Sequence, residues 1–152
     1  MNVSRAVAAG LIATASMTAL LLIEPAVGLP EIAIGQLLSS SLSFTTAVLS
    51  AGPALGWLLH FLVGIVWALL YAGAVVVRLP GTSLVRGILY GGMVFLLAQA
   101  VLMPLVGAGF FSRGDVPTLV GSLLGHVVYG GVLGWTYAEA GSSGFVAGPK
   151  PV

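Results

Sequence analysis

The chain has no cysteine. That excludes disulfides, thiolate metal sites, iron–sulfur clusters and cysteine nucleophiles. Charge is nearly as scarce. Lys and Arg together number 5 and Asp and Glu 4, so only 6% of residues are charged, against ~25% in an average protein. A soluble domain of this size would not stay dispersed with so few charges. The net charge of +1 leaves no electrostatic footprint for nucleic acid. A phosphate loop, an HExxH motif and a serine with a nearby base are all missing, so the sequence shows no catalytic constellation and does not read as an enzyme. No lipidation motif is present, and Met1-Asn2 does not accept a myristoyl group.

What is present is apolar. Hydrophobic residues make up 59% of the chain and the mean hydropathy is +1.14. The apolar runs are continuous over about 20 residues, which suits helices in a bilayer and not the alternating strands of a barrel. The expected fold is all-α: a polytopic membrane protein with four transmembrane helices, at residues 5–24, 53–78, 86–106 and 117–138, in a single domain covering 1–140. The first run is longer than the ~7–15-residue core of a signal peptide and is read as a span. Between Pro30 and Pro53, residues Ile34, Leu37, Leu38, Leu42, Val48 and Leu49 share one face, while several serines fall elsewhere. That segment, 31–51, is read as an interfacial or re-entrant helix. The Gly-, Ser- and Pro-rich residues 141–152 are read as a flexible cytoplasmic tail.

The spans look duplicated. Arg5, Gly10 and Pro25 have counterparts in Arg86, Gly91 and Pro104. His60 and His126, the two histidines of the chain, are each followed by glycine four residues later (Gly64, Gly130) and by Tyr-Ala at eleven and twelve (Tyr71-Ala72, Tyr137-Ala138). Two such hairpins keep one orientation, as in parallel-repeat membrane proteins. Four spans gather Arg5, Arg78, Arg86 and Lys150 on one side and leave Arg113 with Glu24, Glu31 and Asp115 on the other. The positive-inside rule then places both termini in the cytoplasm, with the protein in the inner (plasma) membrane.

Ionisable residues within spans are functional candidates. His60 and His126 lie at similar depth on parallel spans, each on a stripe of small residues. If the second and fourth spans pack through those stripes, the imidazoles converge as axial ligands of a b-type haem, with Gly64 and Gly130 giving a macrocycle room beside the backbone. The alternative reading is close helix packing through the same small residues. Two histidines without a third ligand make no zinc site. Gln99, at mid-span, is expected to bond to Thr14, Ser16 or Thr18. Trp57, Trp67, Trp135, Tyr71 and Tyr137 are read as interfacial aromatics, and Tyr129 as a lipid or core contact. Arg113 and Asp115 could pair in their loop.

The runs GLPEIAIGQLL, PALGWLLHFLVGIVWALLYA, LPG…RGILYGG, MPLVGAGFF and SLLGHVVYGGVLGWTYA resemble a family of small prokaryotic membrane proteins of unknown function, over residues 5–138. The resemblance implies a four-helix fold and carries no activity or site residues with it. The expected role is a structural or accessory subunit of a membrane complex, respiratory for example, or a homo-oligomer, with the bilayer and other membrane subunits or itself as partners. A bis-histidine haem b electron-transfer protein and a small-solute channel or transporter are the alternatives.

Overall fold

A computed structural model describes residues 1–40 and 46–142. Most of those residues are helical, with no strand among them. Helix α1 (Val3–Ile23) starts where the Asn2 side chain accepts the Arg5 N–H at 3.1 Å. It ends in a 3-10 turn, Glu24–Val27, that Gly28 closes at φ 86. A short helix α2 (Ile34–Ser40) leads to α3 (Thr46–Leu70), broken at Gly52 (φ 56, ψ −151) just before Pro53. The last turn of α3 widens into a π-turn, Tyr71–Val75. Helix α4 (Ser83–Leu97) is capped by Thr82, widens over Ala98–Leu102 and continues as α5 (Met103–Leu105). The wider turn sits just before Pro104, whose ring and missing N–H disturb an α-register. Helix α6 (Val116–Ser142) starts at Asp115, whose carboxylate accepts the Thr118 N–H at 3.2 Å.

Four of these stretches are long and apolar enough to cross a membrane: Val3–Val27, Gly52–Val75, Ser83–Leu105 and Val116–Ala138. Segment 31–51 adds no further stretch of that kind among the described residues. Residues 41–45 of it lie outside the described residues, as do 143–152 of the expected tail. Helix α2 is tucked against the start of α3, with Gly35 and Gly56 in close backbone contact.

The helices are held at short distances by glycine. On the α4–α6 contact, Gly87 and Gly91 lie on Gly130 and Gly134, and a Cβ built on Gly130 would stand 2.8 Å from Gly91 Cα. On the α1–α3 contact, a Cβ on Gly10 would stand 2.7 Å from Ala68 Cβ and 3.4 Å from Gly64 O. Helix α1 also packs on α6, with Met17 and Leu21 against Gly125. The expectation that the second and fourth spans pack on each other through their stripes is therefore corrected. The α3 stripe is taken by α1, and the α6 stripe by α4. Two tyrosines bridge the remaining gap: Tyr129 donates from α6 to Gly64 O (2.6 Å) and Tyr90 from α4 to Trp67 O (2.7 Å).

Arg5, at the start of α1, donates to Tyr137 O and lies 5.1 Å over the Tyr137 ring. Arg78, in the turn before α4, and Arg86, in the first turn of α4, are at the same end of the bundle, while Glu31, Arg113 and Asp115 are on connections at the other. Tyr71 does not sit in an interfacial belt. It is wholly buried, with ring centroids 5.1 Å from Tyr90 and 6.2 Å from Tyr137.

The glycine contact is testable. Gly130→Ala should lower stability by ~1–3 kcal/mol, because backbone faces the new methyl. Gly92→Ala, with no atom within 4 Å of its Cβ position, should leave stability unchanged or raised. Thermal unfolding in one detergent compares the two, and equal effects would contradict the packing described.

Candidate functional site

A partly open cavity of about 150 Å³ lies among α1, α2, α3, α4 and α6. His60 from α3 and His126 from α6 both line it. The sequence made their convergence conditional on direct packing of the second and fourth spans; in the structure those helices are held apart and the two histidines share a cavity. Tyr129 and Trp67 supply aromatic wall, Ala98 and Leu102 come from the π-turn of α4, and Ile34 and Leu38 of α2 reach in from the end opposite Arg5. The wall is almost entirely apolar.

Each histidine is fixed in orientation by a polar neighbour. His126 Nδ1 is 2.7 Å from Ser122 O. A carbonyl only accepts, so Nδ1 carries the proton and Nε2 the lone pair. The Phe95 ring packs edge-on at 5.8 Å. His60 Nε2 is 3.2 Å from Thr18 Oγ1, which is itself 2.8 Å from Thr14 O. The single Thr18 hydroxyl proton belongs between the two oxygens, which otherwise repel, and this back-bond is usual for threonine in a helix. His60 therefore donates from Nε2 and holds its lone pair on Nδ1. Trp57 and Phe61 flank its ring, both at 5.8 Å.

These surroundings do not fit a bis-histidine haem. Thr14 covers Gly64, with its Cβ 3.1 Å from where a Gly64 Cβ would stand, and Gly91 covers Gly130. The two glycines pack helices and leave no bed for a macrocycle. Pockets for drug-sized ligands run to ~300–1,000 Å³, and a haem needs more room than about 150 Å³. His60 Nε2 is also engaged with Thr18. Among the described residues no group of three or more His, Cys, Asp or Glu is placed to hold a metal ion.

A second polar cluster lies beyond His126. Gln99 does not bond to α1. Its Nε2 donates to Ser122 Oγ (3.0 Å), and Ser112 Oγ donates to its Oε1 (2.9 Å). Ser112 reaches it from a loop in which Phe111, Ser112 and Arg113 all have positive φ, a strained run for non-glycine residues. Arg113 and Asp115 do not pair: Arg113 donates to Gly107 O (3.1 Å), and Asp115 caps α6. Glu24, grouped from the sequence with Glu31 and Asp115 at the outer end of the spans, is 1% exposed. Neither carboxylate oxygen has a hydrogen-bond partner, and the group lies against Gly121. The signal for this burial was available in Gly121, a small residue on the α6 face that meets α1.

The chain belongs to DUF6789, a family of unknown function, whose family model matches residues 1–144. No curated protein and no solved structure matches it.

Two predictions follow from the geometry of the site. With ¹⁵N-labelled histidine, NMR of the neutral rings should show His60 protonated on Nε2 and His126 on Nδ1; the same tautomer for both would contradict the hydrogen bonds described. Glu24→Met should raise stability by ~1–3 kcal/mol, since it removes an unpartnered buried polar group. A loss of stability would show that the carboxylate makes a stabilising contact.

Proposed function

We propose that this chain is an integral membrane protein that binds a small, largely apolar molecule in the cavity between His60 and His126. The observation that carries the reading is that the two histidines of the chain, on two different helices, line the same cavity. Intramembrane ionisable residues mark functional positions by default, and an apolar pocket with a few convergent polar groups is the default binding site. The volume is near the ~150 Å³ of a cavity able to take a benzene-sized guest. In the same reading the protein lies in the plasma membrane with both termini cytoplasmic. The grouping of Arg5, Arg78 and Arg86 at one end of the bundle supports that orientation.

The observations favour this reading over an accessory subunit or homo-oligomer. Such a role needs a free surface for a partner, and the glycine stripes of α3 and α6 are taken by α1 and α4 within the chain. They also favour it over a channel. The Gln99–Ser112–Ser122 cluster is satisfied by its own hydrogen bonds, and beside it the cavity wall is apolar.

Filling the cavity tests the proposal. Ala98 is 5% exposed and lines it from α4. In lipid nanodiscs, toluene should raise the unfolding temperature of the wild type saturably, and it should not do so for Ala98→Leu. The same shift in both proteins, or none in the wild type, would sink the proposal.

A further inference from the structure

We propose that the cavity selects a hydrogen-bond donor, and that its ligand belongs to the class of small hydroxylated aromatic molecules of about the size of phenol. This rests on the reading of the cavity as a binding site and specifies what enters it. The polar side-chain hydrogens of the described lining residues are nearly all engaged. Thr14 donates its hydroxyl proton to Gly10 O (2.7 Å). Tyr129 donates to Gly64 O (2.6 Å). His126 donates from Nδ1 to Ser122 O, and His60 from Nε2 to Thr18 Oγ1. These four groups have no proton left to offer a guest. Among the described lining residues the one other side-chain donor is the Trp67 indole N–H.

What the histidines retain are lone pairs, on His60 Nδ1 and His126 Nε2. Two imidazole acceptors thus stand against a single indole donor in an otherwise apolar wall. An acceptor that faces an apolar cavity with no partner is unfavourable. A guest with an O–H group satisfies one. A guest with acceptors alone, such as a ketone or an ether, leaves both imidazoles unmatched. Discrimination of this kind is strong when a site is built to hydrogen-bond a hydroxyl, because the analogue lacking it leaves buried polar groups unpaired. An aromatic body follows from the Tyr129 and Trp67 rings on the wall and from the volume.

Phenol and toluene differ little in size and differ in the hydroxyl, so they form the test. Their binding to the wild-type protein in nanodiscs is measured after correction for partition into empty nanodiscs. Histidine ¹⁵N shifts are recorded at each concentration. The expected result is that phenol binds at least about tenfold more tightly than toluene, with a shift of the unprotonated nitrogen of His60 or His126. Equal affinities would overturn donor selection while leaving the binding cavity intact. Binding by neither compound would overturn the cavity reading and this inference with it. His60→Leu and His126→Leu should each keep toluene binding, and at least one of them should reduce the preference for phenol to less than about threefold. A preference untouched in both variants would overturn the assignment to imidazole.

Discussion

The close approach of α4 to α6 sets the rest of the structure. Gly87 and Gly91 lie against Gly130 and Gly134 with no side chain between them. Without a hydrophobic force between helices in lipid, such packing relies on dispersion contacts that fall off steeply with distance. The contact fixes the rotation of α6. With the glycine face turned to α4, the His126 ring meets Phe95 and the cavity. Gly10 does the same for α3 from α1, and the threonines that follow on α1 meet Gly64 and His60.

The cavity is a consequence of those two contacts. Each His-bearing helix is drawn to its own small-residue partner, so the space between α3 and α6 is spanned by side chains. Tyr129 bridges it with its hydroxyl, and Tyr90 ties α4 to α3 one layer away. Interhelical hydrogen bonds of this kind contribute ~0.6 kcal/mol on average. They set spacing more than they supply stability. The result is an apolar chamber with two oriented imidazoles on its wall.

The four helices were legible because composition and run length decide them almost alone. The histidines were legible too, as rare ionisable residues inside long apolar runs. Their relation was not. Periodicity puts His60 and Gly64 on one stripe, but any of three neighbouring helices can take a stripe of small residues, and only the packing shows that α1 and α4 do. The same ambiguity misplaced Gln99, whose partners are Ser112 and Ser122 although the α1 threonines have equal chemical merit. Glu24 and Tyr71 were placed at the membrane interface from their positions near helix ends. Both are buried, because Gly121 admits the first and the Arg5–Tyr137 contact encloses the second. The tautomers were beyond the sequence, since they depend on hydrogen bonds to Thr18 Oγ1 and to Ser122 O.

The central claim is that His60 and His126 share one apolar cavity. Crystals of the protein pressurised with xenon test it most directly, because xenon enters dry apolar cavities of about this size and its anomalous signal locates it. The account predicts a xenon site bounded by His60, His126 and Tyr129. No xenon there, with the α3 and α6 glycine stripes in contact instead, would contradict it.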